Sequence, residues 1–121
     1  MAQPAFETPD ASGLTRKLAE NSNSLRFDAL PADVVSIGKC CFIDWLGVTL
    51  AGAQEEMCDI LQAEAKEEGA KEQASVIGGG FKTSLMQAAL LNGTASHALD
   101  YDDVNLLMVG HPTVPVVPAI L

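Results

Sequence analysis

The stretch Cys41-Phe-Ile-Asp-Trp-Leu-Gly-Val-Thr-Leu50 constrains the fold of this chain more than any other. Leu30-Pro-Ala-Asp just before it is a helix start. Pro31 removes an N–H that would be unpaired in the first turn, and Asp33 faces the positive end of the helix dipole. Val34, Val35 and Ile37 then make one face apolar, and from Cys41 onward apolar residues lie nearly all round. A helix of that kind is buried on most sides. The pattern predicts a helix from about Pro31 to Leu50, enclosed by other helices and stopped near Gly52. Asp44 is the one carboxylate in the apolar run. A lone buried charge is costly, so it is expected to bond a neighbouring helix end rather than take part in chemistry.

The remaining segments also read as helical. Ser12 or Asp10 is a candidate cap for a short helix to about Asn21, held by Leu14 and Leu18 and broken by Asn21-Ser-Asn-Ser. Glu55 to Glu68 reads as a surface helix with Met57, Ile60, Leu61 and Ala65 inward and Gly69 as its stop. Ala74-Ser-Val-Ile-Gly-Gly-Gly is a short extended piece ending in a flexible turn, without either glycine pattern that cradles phosphates. A third long helix starts at Thr83 or Ser84. Its small residues Ala88, Ala89, Gly93, Ala95 and Ala98 allow close backbone approach, which predicts a position deep in a helical pack. Val114-Pro-Val-Val-Pro-Ala-Ile-Leu opens a further apolar helix. The fold class is therefore all-α, with a lead-in over residues 1–11, expected to be disordered, and a helical segment over residues 12–121.

Composition narrows the setting. Hydrophobic residues make up 48% and charged residues 19%, and the mean hydropathy is +0.19. That is apolar for a chain with so much surface to keep wet. No uninterrupted apolar run approaches the ~18 to 20 residues of a spanning helix, so no membrane role is expected. The excess is instead expected to be covered by further chain or a partner subunit. The final apolar helix start adds to the expectation that this is the first piece of a longer chain. A balance of 7 Lys+Arg against 16 Asp+Glu, net −9, argues against nucleic acid as a partner. Three cysteines (Cys40, Cys41, Cys58) without a C-x-x-C spacing read as buried, reduced thiols of a cytoplasmic protein. The N-terminus has neither the basic start nor the apolar core of a signal peptide.

Both histidines, His97 and His111, fall close together, with Asp100, Asp102 and Asp103 between them. Carboxylates packed together raise at least one pKa when buried, and such groups poise acids and bases near neutral pH. Three readings follow from the residues. The aspartates Asp100 and Asp102 cap helix starts beside core histidines; or His97 and Asp100, at i and i+3, help hold a divalent ion; or the cluster abstracts a proton next to a carboxylate. Lys82 is the only Lys or Arg between Glu72 and Leu121. A polycarboxylate substrate would therefore need cationic groups from elsewhere.

Asn92-Gly-Thr-Ala-Ser-His-Ala-Leu-Asp-Tyr-Asp-Asp, followed by Gly110-His-Pro-Thr-Val-Pro-Val-Val-Pro-Ala, resembles the signature region of the MmgE/PrpD family. Leu30-Pro-Ala-Asp-Val-Val and Asp44-Trp-Leu-Gly-Val-Thr-Leu-Ala-Gly are similar to its N-terminal helix. The resemblance covers the chain from about Leu25 onward. That family contains 2-methylcitrate dehydratases, cis-aconitate decarboxylases and an iminodisuccinate epimerase. The resemblance implies part of a large helical domain, with the family's α/β lid domain absent from this chain, no metal or organic cofactor, and a homodimer acting on a small di- or tricarboxylate. It implies catalytic roles for His111 and Asp100. Asp102, Asp103, His97 and Asn92 are expected to support the site or bind substrate. The implied activity is a metal-independent lyase, with an isomerase or a non-catalytic helical fragment as alternatives. Where many members follow the aspartates with Thr-His, this chain has Val104-Asn105, which leaves room for the isomerase.

Overall fold

The computed structural model describes residues 13–121; the lead-in and the caps Asp10 and Ser12 lie outside the described residues. Two compact units divide between Val35 and Ser36. In the first, α1 spans Leu14–Ser24 behind Gly13, whose φ of 78° suits a residue without a Cβ. The helix does not break at Asn21. It runs on to Ser24, where the Ser24 hydroxyl donates to the Asn21 carbonyl and satisfies a group of the last turn. A single 3₁₀ turn, Phe27–Ala29, leads to α2, Ala32–Gly52, which begins in this unit and continues in the next.

In the second unit, α2 buries one stripe: Trp45, Val48, Thr49 and Gly52. These positions recur at i, i+3, i+4 and i+7, one helical face. Burial on most sides was expected, but Ile37, Ile43, Leu46 and Leu50 are exposed. A helix's own composition sets what it can bury, whereas its neighbours set what it does bury. Asp44 is likewise exposed, so water solvates the carboxylate and no paired partner is needed. By length and composition α2 is apolar enough to cross a membrane. Asp44 in hydrocarbon would cost ~2.5–3.5 kcal/mol on insertion scales.

Helix α3, Glu56–Glu68, turns the next face inward, shifted by about one residue from the expected phase. Cys58, Gln62 and Ala65 are buried, while Met57 and Ile60 are exposed. The extended piece gains a partner strand. Here β1 (Ala74–Val76) pairs antiparallel with β2 (Phe81–Thr83), with Val76 opposite Phe81 and Ala74 opposite Thr83. Gly78 and Gly80, at φ of 76° and 72°, make the turn between them. Lys66 lies over the Phe81 ring at 4.6 Å and ties α3 to this hairpin.

Helix α4, Leu85–His97, starts as expected at Ser84, whose side chain accepts the Gln87 N–H. It buries Ala88, Leu91, Asn92, Ala95 and Ser96 and is the hub of the unit. Leu91 packs with Ala65 and Val76 on one side, and Ala95 packs with Ala53 and Cys58 on another. Gly52 fits tightly here, since a Cβ at that position would lie 2.0 Å from the Ala95 carbonyl oxygen. Helix α5, Thr113–Ile120, closes the described chain against α4, with Pro118 near Gly93. Five helices and one short hairpin make an all-α architecture among the described residues. Of the three thiols expected to be buried, only Cys58 is; Cys40 is exposed.

Candidate active site

The end of α4 and the start of α5 bring the histidines together. His97 is the last residue of α4. Beyond it the Asp100 N–H donates to the His97 carbonyl at 3.0 Å, and Asp100 adopts a left-handed φ of 49°. Aspartate tolerates that conformation better than most residues, and it turns the chain back toward the helix end. Asp102 follows, its side chain only 1% exposed. One oxygen, Oδ1, is 2.9 Å from His97 Nδ1 in a formed hydrogen bond. The other, Oδ2, is 2.9 Å from His111 Nδ1. This second contact is off the line of a well-directed hydrogen bond, although both atoms are buried and have no other partner. The imidazoles meet edge to face with centroids 4.7 Å apart.

Asp100 occupies the open side. Its carboxylate is 78% exposed and lies 3.5 Å from His111 Nε2. His111 is thus flanked by a buried carboxylate at one nitrogen and a solvated one at the other. Ligand atoms of His97, Asp100, Asp102 and His111 all lie within 4.8 Å of one another, a donor set that a divalent ion could use. As they stand, two of these nitrogens face one carboxylate at hydrogen-bonding distance. An apolar groove of about 640 Å³ adjoins His97, lined in part by Met57, Leu90, Gly93, Val114 and Pro118.

Two further residues expected at the site bond the chain around it. Asp103 accepts from both the Thr113 N–H (3.3 Å) and the Thr113 hydroxyl (2.6 Å), so it caps α5 from ten residues upstream. Capping, one of the three roles open to the aspartates in sequence, thus falls to Asp103, and it fixes the segment carrying His111. Asn92 is buried, and its amide bonds the hairpin at both ends: Oδ1 accepts from the Ile77 N–H at 2.9 Å, and Nδ2 donates to the Ser75 carbonyl at 3.1 Å. Thr113 escaped the sequence reading because a cap ten residues distant leaves no local spacing signal. Val104 and Asn105 differ in kind from a hydroxyl and an imidazole. Val104 is exposed, and Asn105 Oδ1 accepts from the Leu107 and Met108 N–H groups, shaping a turn.

The family model of the MmgE/PrpD N-terminal domain matches residues 16–121. This chain belongs to the MmgE/PrpD family. The match takes in every residue of the imidazole cluster and all five helices but the first two residues of α1. Comparison with curated proteins gave no match, and neither did comparison with solved structures. The family includes lyases and dehydratases, which sets the class of chemistry to consider at the cluster.

Proposed function

We propose that this chain carries part of the active site of a lyase acting on a small di- or tricarboxylate by acid/base proton abstraction. The observation that carries the reading is His111, held between Asp102 and Asp100 with its Nε2 toward the open side of the cluster. An imidazole titrates near neutral pH and both takes and returns protons. The activated hydrogen next to a substrate carboxyl group is the natural target. His111 is the acid/base residue and Asp100 contacts the substrate, while Asp102, Asp103 and His97 support them. The chemistry requires neither metal nor organic cofactor.

Substrate carboxylates need positive charge, and the cluster has none of its own beyond the imidazoles. Lys82, on β2, is the only Lys or Arg between Glu72 and Leu121. Beyond Lys82, the binding cations have to come from outside residues 72–121, and further chain or a homodimer partner is the source this reading favours. A cytoplasmic location fits a reaction on free metabolite acids.

An isomerase is the second reading, favoured by Val104-Asn105. Val104 and Asn105 supply no hydroxyl or imidazole to assist a leaving group, and the Asn105 Oδ1 is taken up by its own turn. A screen of citrate-like acids by ultraviolet absorbance of a new C=C bond tests elimination, and solvent deuterium in recovered substrate without unsaturated product marks the isomerase. In the active protein, His111→Ala is expected to lower turnover by ~10² to 10⁴-fold. Unchanged turnover in that variant would remove His111 from the mechanism.

A further inference from the structure

We infer that Asp102 is a positioning residue that holds His97 and His111 through one buried carboxylate, fixes the same Nδ1–H tautomer in both, and makes His97 the second member of the proton-handling group. The role in proton handling rests on the acid/base reading above; the tautomer assignment does not.

The argument starts from the carboxylate. Ionised, it accepts hydrogen bonds and donates none. Its Oδ1 and Oδ2 each lie 2.9 Å from an imidazole Nδ1, and its side chain is 1% exposed, so little water competes for either oxygen. A ring nitrogen presenting a lone pair to an anionic oxygen at that distance would be repelled. Each Nδ1 must therefore carry the hydrogen. For His97 the bond is already formed. For His111 the two atoms are buried and otherwise unpartnered. Leaving a buried donor and acceptor unpaired is costly for both groups. Their 2.9 Å separation makes each the other's partner when His111 Nδ1 carries the hydrogen.

Three consequences follow. A neutral imidazole has one N–H, so with Nδ1 protonated both Nε2 atoms carry lone pairs. His111 Nε2 then faces Asp100 at the open side as a base. His97, whose side chain is 48% exposed, presents its own Nε2 away from Asp102, edge to face with the other ring. A proton gained at either Nε2 gives an imidazolium beside the same carboxylate, so the two rings share one counter-charge. His97 thus gives His111 a solvent-accessible partner of matched tautomer.

The test is the ¹⁵N–¹H correlation spectrum of the imidazoles in the full chain near neutral pH, with Asp102→Asn and His97→Gln alongside. Wild-type protein is expected to show the Nδ1–H tautomer for both neutral rings. Asparagine keeps the size but replaces one acceptor with an NH₂ donor. It should therefore switch one ring, and only one, to the Nε2–H form. His97→Gln should leave His111 in the Nδ1–H form. Either ring found as Nε2–H in the wild type overturns the assignment, and so does an Asp102→Asn protein that keeps both rings as Nδ1–H. If Asp102→Asn does not fold, the wild-type and His97→Gln spectra still decide. In turnover, Asp102→Asn should lower kcat with little change in KM, since a wrong tautomer costs up to ~10⁴ in rate where it has been isolated. An unchanged kcat in a folded variant removes the positioning role. Correct tautomers without any carboxylate turnover would sink the proposed function and leave this inference standing.

Discussion

Val109 has a φ of 52° and a β-branched side chain, a pairing that L residues rarely adopt. The turn that requires it is closed by Asn105 and Gly110, which exchange backbone hydrogen bonds of 2.9 and 3.3 Å. The left-handed conformation costs an L residue ~1–2 kcal/mol, and glycine's extra freedom when unfolded offsets part of any relief. Val109→Gly is thus expected to raise the melting temperature slightly, whereas Leu106→Gly, exposed and not left-handed, should lower it or leave it unchanged. Equal shifts in calorimetry would show that the strain at Val109 is not real. The cysteines give a second contrast. Burial pushes the Cys58 thiol above its ordinary pKa, and the charges of Asp59 and Glu55 push it the same way. Thiolate is the reactive form. At neutral pH a maleimide should therefore modify exposed Cys40 well before Cys58, which should react at a comparable rate only in denaturant. Peptide mass spectrometry over time reads the order directly.

At the scale of elements, the packing of α4 against its neighbours is decided by two glycines with opposite requirements. A Cβ at Gly52 would sit 2.0 Å from the Ala95 carbonyl oxygen, and backbone there has no room to yield. Gly52→Ala should cost ~1–3 kcal/mol by overpacking. At Gly93 the nearest atom to a Cβ is Pro118 Cγ at 3.8 Å, an ordinary contact. Gly93→Ala, inside a helix, should instead gain ~0.5–1 kcal/mol. Denaturant unfolding of the two variants should move in opposite directions, and a shift of the same sign would contradict the α2–α4 approach. The sequence read Gly93 as one of the small residues that announce close packing for α4, and Gly52 as a helix stop. It did not say which one touches backbone. Helix starts were more legible, because Ser84 acts on an N–H three residues away. The phase of α3 was not, since Met57, Ile60, Cys58 and Ala65 are all apolar enough to face either way and only the position of α4 selects among them.

At the scale of the whole chain, much apolar surface is open. Ile43 on α2 is 70% exposed and Leu107 in the turn before His111 is 98% exposed. Scattered apolar exposure is normal, but contiguous exposure marks a surface that something covers. The 121-residue chain by itself is expected to self-associate: its sedimentation coefficient should rise with concentration, and a dye such as ANS should bind in the folded state. A chain that stays monomeric at high concentration and binds no dye would contradict this. The net charge of −9 opposes association, so added salt should strengthen it by screening.

What the sequence determined by itself was local or periodic: the helices, the Ser84 cap, the glycine turn, and the motif residues His97, Asp100, Asp102, Asp103 and His111 that place the chain in its family. These depend on interactions within a few residues, or on a pattern specific enough to be read directly. The tertiary structure decided the rest. It paired β1 with β2, opened most of α2 to solvent, set Asp103 at the start of α5, and bonded Asn92 to the hairpin. Above all, it placed one carboxylate between two imidazoles. Three aspartates in four positions are alike in sequence, and only burial and direction, set by the turn at Asp100 and the cap at Thr113, make Asp102 the one both histidines share.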